Sequence, residues 1–150
     1  MTRIKQYYPQ NIYYTAEYVR DVKTVCITSN CITDETLPCY DSLHCLLWIS
    51  PHYELWGIEC ISPEIIQNIL NYPMYNIPKE KSNNFIIERI YEEEKILKIF
   101  FDPSDERHFF LLFDLIKIPT RKFCFKNVIF YVCGEELIAI ECIDADVKER

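Results

Sequence analysis

The sequence predicts an α+β fold that is mostly β: two antiparallel β-meander repeats forming a pseudo-dimer, with one clear helix after the first repeat. Three observations carry this expectation. Glu54-Leu55-Trp56-Gly57-Ile58-Glu59-Cys60-Ile61 returns as Glu136-Leu137-Ile138-Ala139-Ile140-Glu141-Cys142-Ile143, with six of the eight residues identical. Each copy follows an apolar run across a short turn, which is the pattern of a hairpin. The chain has 150 residues, 49% of them hydrophobic and 15% aromatic, enough for one well-packed domain with a single core. The expected organisation is one domain over 1–150, with pseudo-repeats at about 11–72 and 95–150 joined by a linker at 73–84.

In chain order, residues 1–10 read as a lead-in or edge strand, and residues 11–14 as the first strand of the first repeat. Residues 15–21 read as a polar connection. Val22-Lys23-Thr24-Val25-Cys26-Ile27-Thr28 is rich in β-branched residues and reads as a second strand. Turn-forming residues dominate 29–41, a long loop or a loop with an edge strand. Residues 43–49 are almost continuously apolar, and the phrase 54–61 returns as their partner across Ser50-Pro51-His52-Tyr53.

Ser62-Pro63-Glu64 then offers an N-cap, a first-turn proline and an acidic first turn, followed by Ile65, Ile66, Ile69 and Leu70 at helical spacing. This predicts a helix from Pro63 to about Tyr72. Prolines and polar residues mark the linker. Residues 85–91 and 95–101 alternate as two strands around Glu92-Glu93-Glu94, although Ile86, Ile90 and Leu97 also suit a helix face. On the strand reading the second repeat opens at Lys95. Residues 101–106 read as a turn, 108–113 as a strand, and 128–143 as the second hairpin, aligned with the first without a gap from Leu46 and Val128 onward. Asp144-Ala145-Asp146 stands where the first copy starts its helix, so a matching helix is cut short or the tail frays.

Phe101-Asp102-Pro103-Ser104-Asp105, the apolar strand after it, and residues 136–145 together resemble the small bacterial YuzE-like family of unknown function. Its members open with Tyr-Asp-Pro and close with a Leu-x-Gly-Ile-Glu-Ile phrase followed by a small polar residue. The resemblance covers about residues 95–146 and, more weakly, 43–64, where Gly57 keeps the glycine that Ala139 replaces. It implies a small mixed β unit and no established activity, and it carries no catalytic residue onto this chain.

Sixteen basic against 23 acidic residues leave a formal net charge of −7. Such a surface repels phosphate backbones and attracts basic partners, so direct nucleic-acid binding is disfavoured. No apolar stretch is long enough for a membrane-spanning helix and no signal-peptide pattern opens the chain, which leads to an expectation of a cytoplasmic protein whose eight cysteines stay reduced. No cofactor or metal is expected. Cys26, Cys31, Cys39 and His44 lack the tight C-x2-C spacing of a zinc site, and Gly57 and Gly134 are too few for a phosphate-cradling loop.

Simple alternation puts Leu55, Gly57, Glu59 and Ile61 on one strand face and Trp56, Ile58 and Cys60 on the other. Glu59 and Glu141 thus occupy equivalent places on apolar faces. Either they face each other across a pseudo-twofold axis for acid–base work or cation binding, with His108 or His52 assisting, or each is satisfied by a local hydrogen bond or basic side chain. Lys117, Arg121, Lys122 and Lys126, interleaved with Phe123 and Phe125, form a local basic cluster that reads as a solvated strand face. Glu88, Tyr91, Glu92, Glu93, Glu94, Asp105 and Glu106 are the residues expected to meet a basic partner. The leading expectation is a non-enzymatic acidic binding protein, an immunity-type inhibitor that neutralises a basic toxin domain such as a nuclease. The alternative is a small carboxylate-based enzyme or a ligand-binding regulatory module with a site between the repeats. Homodimerisation through an unpaired sheet edge is compatible with each of these.

Overall fold

The computed structural model describes residues 5–6, 13–30, 37–42, 45–49, 55–66, 75–77, 85–86, 98–114, 116–134 and 136–149. These residues form fourteen strands and no helix. In chain order they are β1 (Lys5–Gln6), β2 (Tyr14–Val19), β3 (Thr24–Ser29), β4 (Leu37–Ser42), β5 (Cys45–Ile49), β6 (Leu55–Cys60), β7 (Glu64–Ile66) and β8 (Phe85–Ile86). They continue with β9 (Lys98–Asp102), β10 (Asp105–Leu112), β11 (Arg121–Phe125), β12 (Val128–Cys133), β13 (Glu136–Cys142) and β14 (Asp146–Lys148).

Two six-stranded sheets dominate. The first runs β14-β2-β3-β6-β5-β4 and the second β7-β9-β10-β13-β12-β11, while β1 and β8 form a separate small pair. Both hairpins expected from the repeated phrase are present, β5 against β6 and β12 against β13. The sheets are mixed, however, and the expected purely antiparallel meanders are corrected. β7 lies parallel to β9 and β14 parallel to β2. Each of these short strands leaves the sheet that holds its preceding strand and adds to the edge of the other.

The helix expected from Pro63 is overturned over residues 64–66, which are β7; residues 67–72 lie outside the described residues. An N-cap needs an extended backbone, but Ser62 adopts a left-handed φ of 45° and its hydroxyl donates to the Val22 carbonyl at 3.0 Å. Ile65 and Ile66 are β-branched and gain a partner in β9, so sheet pairing outweighs the helical spacing. At the other end Asp144 turns at φ 52° and leads into β14, so neither a truncated helix nor a frayed tail follows. Residues 14–19, of which 15–19 read as a polar connection, are β2, with Tyr14, Ala16 and Tyr18 facing inward and Glu17 on the other face.

The main core lies between the two large sheets. Tyr14, Ala16, Tyr18, Val25, Ile27, Leu55, Ile58 and Cys60 meet Ile99, Phe109, Leu111, Phe125, Phe130, Ile140 and Cys142 there. Edge-to-face rings bind the layers together, with Tyr14 at 5.0 Å from Phe130 and Tyr18 at 5.0 Å from Phe101. A buried hydroxyl needs a partner, and the Tyr14 hydroxyl donates to the Leu55 carbonyl at 2.5 Å. A second apolar cluster of Phe100, Phe110, Leu112, Tyr131, Ile138 and Ala139 lies on the outward face of the second sheet. Tyr75 and Ile77, from the expected linker, pack onto it.

Both hairpins carry a bulge, and it corrects the expected face assignment. Trp48 opposes Gly57 while Ile49 opposes Leu55, so the register steps over Trp56; Tyr131 opposes Ala139 while Val132 opposes Leu137, so it steps over Ile138. An extra residue reverses the alternation. Leu55 therefore joins Ile58 and Cys60 in the core, as Leu137 joins Ile140 and Cys142. The same pairings place Cys45, rather than Leu46, in the position of Val128, because Cys45 opposes Cys60 and Val128 opposes Cys142.

Candidate functional site

Glu141 lies between two core residues on β13, so its side chain projects from the opposite, outward face of the second sheet. Glu59 does the same on the first sheet, flanked by Ile58 and Cys60. The shared apolar core separates the two carboxylates, and they do not meet. What surrounds each also differs. Glu59 neighbours Cys26, the residue opposite it on β3, and burial, reinforced by the charges of Glu59 and Glu17, pushes the Cys26 thiol up to about 11.

Around Glu141 four neighbouring strands each contribute one polar side chain, in the order Tyr131 (β12), Glu141 (β13), His108 (β10) and Asp102 (β9). The Tyr131 hydroxyl donates to Glu141 Oε1 at 2.6 Å, and His108 Nε2 lies 2.6 Å from Glu141 Oε2. On the other side of the ring, His108 Nδ1 stands 3.4 Å from Asp102 Oδ2. Asp102 is held in turn by Ser104, whose backbone N–H and hydroxyl donate to Oδ1 at 2.9 and 2.8 Å. Those two hydrogen bonds, with help from His108, hold the Asp102 carboxyl below the usual carboxylate range. Burial, strengthened by the adjoining Glu141 carboxylate, pushes the Tyr131 phenol well above its ordinary value.

Local sequence explains the row. β9 and β10 are joined by Pro103 and Ser104, and their register shifts between Asp105 and Phe109. That irregularity brings His108 beside Asp102 instead of leaving it paired as a regular strand residue. Tyr75 seals the neighbouring surface, with its ring 5.8 Å from Phe110 and 4.9 Å from Tyr131. Glu141 is left 12% exposed and the His108 ring 25%. The arrangement can hold a proton on imidazole between two acceptors. Among the described residues no group of His, Cys, Asp and Glu has the geometry of a metal site.

Of the residues expected to meet a partner, Glu88, Tyr91, Glu92, Glu93 and Glu94 lie outside the described residues. Asp105 and Glu106 are exposed at the start of β10. Arg20 Nε is 3.1 Å from Glu106, and its guanidinium also bonds Glu149, which raises the already high guanidinium pKa further. Lys148 bonds Glu17 at 3.1 Å. His52, Cys31 and His44 lie outside the described residues. The basic cluster is divided: Phe123 and Phe125 are core residues, Lys117 bonds Glu136 at 2.6 Å, and Arg121 stacks 4.9 Å over the Phe123 ring.

Glu141 and His108 stand out in the sequence, whereas nothing local marks Asp102 and Tyr131 as their partners. The Asp-Pro-Ser turn signal was visible; the bulge that orders the faces was not. Ile116 and Ile118 were also missed. They are 90% and 78% exposed, on a loop pinned by two backbone N–H groups donating to Asp114 Oδ1.

The chain matches no family model and no curated protein. Among the described residues no helix is long and apolar enough to cross a membrane, which leaves strand-built membrane proteins unaddressed.

Proposed function

We propose that this is a non-enzymatic acidic binding protein, an immunity-type inhibitor that neutralises a basic partner such as a toxin domain. The observation that carries the reading is the grouping of carboxylates where the β9–β10 turn, the end of β2 and β14 meet. Arg20 joins Glu106 and Glu149 there, the backbone N–H of Asp21 donates to the Glu149 carbonyl, and the Arg107 side chain, two residues from Asp105, donates at 3.0 Å to the carbonyl of Ala145, which lies between Asp144 and Asp146 in the chain. The carboxylates outnumber the basic side chains, and such a surface speeds encounter with a cationic partner. Ile116 and Ile118 add apolar contact area at the far end of β10. Large apolar side chains held rigidly in water regain free energy when a partner covers them.

The test is co-expression of the chain with proteins encoded beside it, followed by affinity purification. A basic protein should co-purify in stoichiometric amount and lose its activity when bound. Reversing Asp105 and Glu106 to Lys should slow association and flatten its dependence on salt. Failure of any basic protein to bind, with the chain folded, would overturn the reading.

The Tyr131–Glu141–His108–Asp102 row favours a second reading, a ligand-binding or acid–base site on one outward face. It would replace the first if a small molecule shifted resonances of His108 and Glu141 and Glu141→Gln abolished the shift. We also propose that the chain is a duplicated unit with exchanged terminal strands. The matched strand orders, the two bulges and the left-handed Ser62 and Asp144 support this. If the resemblance of residues 95–146 to the YuzE-like family is ancestral, Asp102 and Glu141 both belong to its matched segments.

A further inference from the structure

We propose that His108 is a protonation-controlled clasp that tightens the β9–β10 turn against the rest of the second sheet. The imidazole is set between two acceptors on the strands flanking its own, Glu141 Oε2 at 2.6 Å from Nε2 and Asp102 Oδ2 at 3.4 Å from Nδ1. Only the imidazolium has a proton on both nitrogens and can donate to both carboxylates. Neutral imidazole keeps one donor and turns a lone pair toward the other carboxylate. One hydrogen bond to a charged group is then exchanged for an acceptor–acceptor contact.

The surrounding groups decide which of the two contacts changes. On β9 the ring faces Asp102, which Ser104 holds in its charged form. On β13 it faces Glu141, whose other oxygen is occupied by the Tyr131 hydroxyl from β12. On its own strand the Phe110 ring lies 6.2 Å away. Glu141 is therefore fixed by Tyr131 whether or not His108 is charged, and the weaker contact to Asp102 is the one that gives way. Asp102 starts the turn that carries Asp105 and Glu106, so the released element is the 102–107 segment.

The experiment uses the intact free chain and needs no partner, so it stands apart from the inhibitor reading. Long-range proton–nitrogen NMR reports the protonation of each ring nitrogen, with His108→Gln assigning the His108 signals. Amide exchange of residues 104–107 is followed in parallel at pH 5.5 and 8.5, corrected for the intrinsic effect of pH. Protons on both ring nitrogens at pH 5.5 and on one at pH 8.5 are expected, with corrected exchange in the turn about tenfold or more faster at the higher pH. In His108→Gln the exchange difference should vanish. A ring in the same protonation state at both values, equal exchange in the wild-type turn, or a difference that persists in His108→Gln would each overturn the proposal.

Discussion

At the scale of single residues, Glu141 shows how a carboxylate is retained on a largely apolar face. Its two oxygens are engaged by Tyr131 and His108, which offsets the cost of leaving water. Tyr131→Phe removes one donor while keeping the ring against Tyr75 and Phe110, so no cavity opens. We expect it to cost about 1–2 kcal/mol, read as a lower urea midpoint with an unchanged m-value. Cys26 gives a pH prediction. Its folded-state pKa, pushed up to about 11, lies above the value near 9 of an unperturbed thiol, so between these limits the unfolded chain releases the proton first. Its contribution to stability is fully present below pH 9 and is lost as pH rises toward 11. Cys26→Ala should reduce that alkaline loss in urea titrations made in steps from pH 8 to 11, measured against the wild type. The residue types were legible in the sequence. Their partners were not, because Asp102, His108, Tyr131 and Glu141 come from four strands.

At the scale of elements, the two hairpins were readable because alternation and turn chemistry are local properties. The bulge was not, since the extra residue, Trp56 or Ile138, looks like any other apolar strand residue until the neighbouring strand is known. That bulge brings Gly57 opposite Trp48. A Cβ at Gly57 would stand 3.2 Å from both the Ile27 carbonyl oxygen and Trp48 Cδ1. Gly57→Val should therefore destabilise the chain by about 1–3 kcal/mol through overpacking, seen in chemical denaturation. The failed helix has a similar cause. Ser62-Pro63-Glu64 and the spaced isoleucines satisfy every local rule for a helix start, yet Glu64–Ile66 follow the edge of β9. Local propensity is worth tenths of a kcal/mol per residue, whereas Ile65 packs against the main core.

At the scale of the molecule, β7 and β14 interlock the two large sheets. β14 completes the edge of β2, places Val147 against the core, and accepts hydrogen bonds from the backbone N–H groups of Arg20 at 2.9 Å and, through Glu149 just beyond it, Asp21 at 3.1 Å. Deleting residues 146–150 would uncover the β2 edge and lose these contacts. We expect a loss of about 3 kcal/mol and a tendency to associate through the bare strand. Thermal unfolding combined with light scattering would show both. Retention of the wild-type melting temperature would mean that β14 adds little to the first sheet.

The sequence by itself determined that this chain is rich in β structure, that each hairpin closes on a copy of the repeated phrase, and that its net charge is negative. Those properties depend on neighbours along the chain and on composition. Only the tertiary structure decided that β7 and β14 cross between sheets, that Glu59 and Glu141 point away from each other, and that His108 rests between Asp102 and Glu141. Each of these depends on which strand lies beside which and in what register. A one-residue bulge reverses a face, and a three-residue strand joins whichever edge tertiary packing brings within hydrogen-bonding reach.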